Sequence, residues 1–159
     1  MREQVPKPVP IIEKLAKYIP GYGGYLERGT RRTADQALRE AIAGQLSGPK
    51  AAVERLIRDR TKAGDLDAID PLDRTARRLE SLAQSLRAAG SGIDAFYGAG
   101  RLDDPKADTL HTLDLALFER VDELKTMAGV AEFDGKIDKY LGDLEAKLAE
   151  RGLLLQGIR

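Results

Sequence analysis

Cysteine is absent from the 159 residues. That excludes disulfides, thiolate catalysis and cysteine-ligated zinc or iron–sulfur centres, and it fits a reducing compartment. Tryptophan is also absent, and aromatics make up only 5% of the chain. Leucine and alanine must therefore fill the interior, and both favour helices. There is no surplus of charge, since 26 Lys and Arg face 26 Asp and Glu. A general nucleic-acid binder needs spare cations to displace counterions, so no nucleic-acid partner is expected. No apolar run approaches the roughly 20 residues that span a bilayer. Pro6, Pro8 and Pro10 break the place a signal-peptide core would take, and the chain reads as cytoplasmic. His111 is the sole histidine, so the paired Glu-x-x-His sites of di-iron bundles cannot be assembled. The aspartate runs lack calcium-loop spacing. No metal site and no cofactor is expected.

What the chain does have is helical periodicity. The central stretch, 104–128, sets Leu110, Leu113, Leu117, Val121, Leu124 and Ala128 on one stripe. Asp114, Glu119, Arg120, Asp122, Glu123 and Lys125 are assigned to the opposite, solvent face. A helix over about 71–89 carries Leu72, Ala76, Leu79, Ala83 and Leu86 at the same four-three spacing, with Asp70-Pro71 as its start signal. The last helix ends near Arg151, with Gly152 as its cap and Ile137, Leu141, Leu144 and Leu148 inside. Two more helices, about 25–46 and 47–63, are separated at Ser47-Gly48-Pro49, with Ser47 as the expected cap. Nothing alternates like a strand. The expected fold is all-α: an antiparallel bundle of four to five long helices with a short N-terminal helix. Residues 1–9 read as an extended Pro-rich arm, and 10–159 as a single helical-bundle domain.

Three groups of residues are candidates for function. The first is the corner Pro20-Gly21-Tyr22-Gly23-Gly24-Tyr25 with the arginines Arg28, Arg31 and Arg32 behind it. No strand precedes the glycines and no Lys-Ser or Lys-Thr succeeds them, so the phosphate-loop pattern is not met. Tyr22 and Tyr25 either clamp the corner onto the core or, with Arg28, Arg31 and Arg32, offer a contact surface to another protein. Asp35 and Arg39, at i,i+4, are expected to pair along the surface. The second group is the short helix 10–19, where Ile11, Leu15 and Ile19 share a face and Lys14 and Lys17 lie off it. Such a helix docks on the bundle or lies on a membrane surface. The third is Phe96, Tyr97 and His111, which either plug one end of the bundle or line a pocket for a small molecule or ion. His111 has Asp108 and Asp114 nearby, but no second histidine, serine or cysteine is placed to complete a relay. No catalytic residue is expected.

Two stretches together carry a resemblance. The corner 19–25 with Arg31-Arg32 and Asp35 after it, and the run from Leu72-Asp73-Arg74 to Leu113-Asp114-Leu115-Ala116-Leu117, are similar to a family of small bacterial helical proteins without assigned activity. The resemblance implies a helical fold and a cytoplasmic accessory role, and it supplies no catalytic residue or cofactor. The expectation is a non-enzymatic interaction or scaffold module. Its partner would be another protein, with a second copy of the chain as a further candidate.

Overall fold

Proline opens the first helix. Pro10 lacks the N–H that a first helical residue would leave unsatisfied anyway, and α1 runs over Pro10–Tyr18 with Glu13 in its first turn and Lys17 in its last. The structure, a computed structural model, describes residues 10–22, 31–90, 92, 93, 96, 105–127 and 133–157. The long helices among them are α2 (Arg31–Gln45), α3 (Ser47–Lys62), α4 (Ile69–Ala88), α5 (Pro105–Met127) and α6 (Phe133–Leu155). No strand occurs among the described residues. The arm 1–9, Tyr25, Arg28 and Tyr97 lie outside them.

Helix ends obey local chemistry, with three corrections. Ser47 does not cap α3. Leu46 holds that position with no side-chain cap, and the Ser47 hydroxyl donates back to the Gly44 carbonyl at 2.8 Å. Helix α4 begins at Ile69, two residues before the expected Pro71, and Asp70 lies in its first turn. Gly152 does not end α6, which continues to Leu155. A glycine inside a helix weakens it without stopping it, and here Leu155 is buried beyond it. The glycine signal holds at Gly64, with φ +74°. There Asp65 N–H donates to Arg60 O at 2.9 Å and Gly64 N–H to Thr61 O at 3.1 Å, the paired bonds of a Schellman end. Open space surrounds a Cβ at residue 64, so Gly64→Ala should cost only the left-handed backbone strain, about 1 kcal/mol. A lower urea midpoint with an unchanged slope would show it.

Helices α5 and α6 are antiparallel. Asp114 pairs with Arg151 and Arg120 with Asp143, so numbers fall on one as they rise on the other. Helix α4 packs against α2, α3 and α6, while α5 packs against α1, α2 and α6. Among the described residues one apolar core draws on each of α1 to α6, from Leu15 and Leu38 through Val53 and Leu79 to Leu117 and Leu141. A smaller cluster of Ile93, Ala107, Leu110 and Leu155, with Phe96 against it, closes one end. The α5 stripe is correct for Leu110, Leu117, Val121 and Leu124, all buried. The assignment of α5's opposite face to solvent is too simple. His111, Asp114, Leu115 and Phe118 are also buried, because this helix has neighbours on several sides.

Candidate functional site

The amphipathic patterns put charges where side chains must be dry. On α5, Asp114 stands four after Leu110 and three before Leu117. On α6, Arg151 stands three after Leu148 and four before Leu155. Both positions face inward by helical register. Asp114 and Arg151 are each 1% exposed, Asp35 is 5% and Arg39 is 6%. A charge so enclosed is tolerable only when paired and hydrogen-bonded.

The four side chains satisfy that demand in an alternating chain. Arg151 Nε donates to Asp114 Oδ1 at 2.6 Å, and Arg151 Nη2 donates to Asp35 Oδ1. Asp35 Oδ2 accepts from Arg39 Nε at 2.8 Å. Arg39 Nη1 then reaches the carbonyls of Leu86 at 3.1 Å and Arg87 at 2.5 Å. Those carbonyls belong to the last turn of α4, where Leu86 O also accepts the Ala89 N–H at 3.3 Å and a cation is favoured. Two guanidinium and two carboxylate groups cancel, and the chain ties α2, α4, α5 and α6 together. Gly90 leaves room for it, since a Cβ there would lie 2.7 Å from Arg39 Nη2. Burial works against the Arg151 cation, but the carboxylates of Asp114 and Asp35 together raise its pKa above the ordinary guanidinium value. Burial pushes the Asp114 carboxyl up, against the pull of Arg151.

His111 adjoins this network and is 0% exposed. Neither ring nitrogen has a hydrogen-bond partner among the described residues, and neither does Arg151 Nη1. Burial holds the imidazole pKa below its usual value. Asp114 and Asp108 act against that, and Arg151 adds to it. The Tyr22 ring meets the imidazole in a T-shape, with centroids 6.3 Å apart.

The expected sites fare unevenly. Of the two readings of Tyr22, the structure favours the clamp over the contact surface, since the residue is turned into the core at 2% exposure. Arg31 opens α2 and Arg32 is exposed on it. The face read as membrane-seeking is already covered. Leu15 and Ile19 are buried and Ile11 half-buried against the core, while Lys14 and Lys17 are exposed. Tyr18 stacks on Phe118 of α5 at 4.6 Å, which fixes that docking. His111 is a core residue and Phe96 packs on the end cluster. The Asp35–Arg39 pair forms as spaced, but in the interior. Among the described residues no group of three His, Asp or Glu side chains is arranged to hold a metal ion, and no helix is long and apolar enough to cross a membrane.

Between α5 and α6 the surface carries a groove. Arg120, Lys139, Tyr140 and Asp143 line an open pocket of about 330 Å³. The Arg120 guanidinium lies 5.0 Å from the Tyr140 ring centroid, donates from Nε to Asp143 at 2.7 Å and from Nη1 to Glu123 at 2.9 Å. Comparison of the chain with family models, curated proteins and solved structures gives no match.

Proposed function

We propose that the chain is a non-enzymatic interaction module of the bacterial cytoplasm. One observation carries this reading. The groups best suited to acid–base work, His111, Asp114 and Asp35, are enclosed in the core, and the two carboxylates are spent on joining helices. Chemistry on a substrate needs such groups within hydrogen-bond reach of it. The groove of Arg120 and Tyr140 supplies what protein contacts favour, an aromatic ring and a planar cation already held in place. Tyr22 of the Gly-Tyr corner, by contrast, is buried, so the groove is the surface to test first.

The test compares immobilised wild-type chain with Arg120→Ala/Tyr140→Ala on native extract, with titration of each captured protein afterwards. The variant should unfold within a few degrees of wild type and bind at least about thirtyfold more weakly, the effect of losing one hot-spot residue at roughly 2 kcal/mol. Identical affinities would remove the groove from the reading. Turnover of an ester, phosphoester or peptide panel, abolished by His111→Ala, would overturn the reading itself.

A further inference from the structure

The His111 imidazole is fully enclosed and has no hydrogen-bond partner among the described residues. Its cover includes Tyr22, whose ring sits T-shaped against it. Tyr22 follows α1 across the turn at Pro20-Gly21 and is hydrogen-bonded back toward it. Its N–H donates to Ile19 O at 3.2 Å, and Ile19 N–H donates to Leu15 O at 3.0 Å. Helix α1 has nine residues, is the shortest of the six α-helices given above, and among the described residues rests chiefly on α5.

We propose that protonation of His111 releases the α1–Tyr22 segment from the bundle, an acid-operated latch built into the fold. The charged and titratable groups around the ring decide the direction. On its own helix lie Asp108, exposed, and Asp114, buried. From α6 comes Arg151, and from α2 Asp35, which is paired with Arg151. Tyr22 adds a phenol. Both buried carboxylates are already bonded to guanidinium groups, and Arg151 itself repels a second cation. An imidazolium here would have two N–H donors and no acceptor for either among the described side chains, a costly state for a buried charge. Opening is its way to be solvated. The weakest cover opens first, and short elements with few packed neighbours open more cheaply than long ones. Release of α1 also uncovers the Leu15–Ile19 face.

The sign comes from linkage. Above about pH 6.5 the ring is neutral whether covered or open, so the equilibrium is flat. Below it the open form takes a proton that the closed form refuses. The open population then rises about tenfold per pH unit until the closed form itself titrates. This window lies above the ordinary carboxylate range, and the Asp114 contribution is separated by substitution.

Hydrogen-exchange protection factors and the Cε1–H resonance of the sole histidine, measured on the full chain from pH 7.5 to about 5, test it. Protection of the amides of residues 11–19 should lie below that of α3 and α4 at every pH, the mark of a separate opening, and fall about tenfold per unit below pH 6.5. Global unfolding frees the same imidazole, so α3 and α4 lose protection in parallel, and α1 amides protected as well as theirs overturn the proposal. His111→Phe, which keeps an aromatic ring against Tyr22, should abolish the loss, and Asp114→Asn should leave it in place. Protection that stays flat in wild type overturns the proposal, as does loss that persists in His111→Phe. Should that variant not fold, the wild-type data decide alone: a His111 resonance that titrates while the α1 amides stay protected also overturns it.

Discussion

Arg151→Ala is expected to remove about 3–5 kcal/mol of stability, the usual cost of stranding buried charge. The substitution takes from Asp114 the guanidinium it is bonded to and leaves Asp35 with Arg39. For a domain whose whole stability is of order 5–15 kcal/mol, that loss brings unfolding close. Urea denaturation measures it. Two companion results identify the cause. First, Asp114→Leu with Arg151→Met deletes one charge of each sign and leaves the Arg39–Asp35 pair neutral. That double variant should recover most of the loss, because well-packed apolar groups often replace a buried ion pair at little cost. Second, the Arg151→Ala protein should gain stability as pH falls from about 7 toward 5. A stranded buried carboxylate has a raised folded-state pKa, so the folded state binds more protons than the unfolded one. A loss that ignores pH and persists in the double variant would mean that Arg151 matters only as bulk.

The same network shows how far the sequence can be read. Apolar spacing places Leu117, Leu141 and Leu79 inside, and the core confirms them. Helical spacing also puts Asp35 and Arg39 within reach of each other, as observed at 2.8 Å. It cannot place the pair indoors, because the burying partner, Arg151, is 116 residues from Asp35. Polarity is the misleading cue. Residue type alone sends Asp114 to solvent and Arg151 to a helix end, although both occupy the inward register between leucines. A charged residue on an apolar stripe is the legible signal of a buried ion pair, and one such residue on each of two helices is a stronger one. Gly152 misleads for a different reason. Helix ends depend on tertiary packing beyond them, and Leu155 gains enough by packing on Ile93 and Leu110 to carry the helix past a glycine.

Phe118→Ala is expected to cost about 3–5 kcal/mol, the range for truncating a buried aromatic ring. At about 2–4 °C per kcal/mol for a chain of this size, the thermal midpoint should fall by roughly 6 to 20 °C. Phe118 is 0% exposed on α5, and its ring stacks on Tyr18 of α1 with planes 15° apart. The substitution therefore opens a cavity and removes α1's aromatic anchor together. Tyr18→Ala separates the two effects. Tyr18 is only half-buried, so its truncation should cost about 1–2 kcal/mol, the stacking energy plus part of the ring's burial. Exchange of the α1 amides should quicken in both variants, and the amides of α4, which report global stability, should quicken in proportion to each loss, far less in Tyr18→Ala than in Phe118→Ala. Equal losses in the two variants would show that α1 is no separable latch and that its docking is as costly to undo as the core itself.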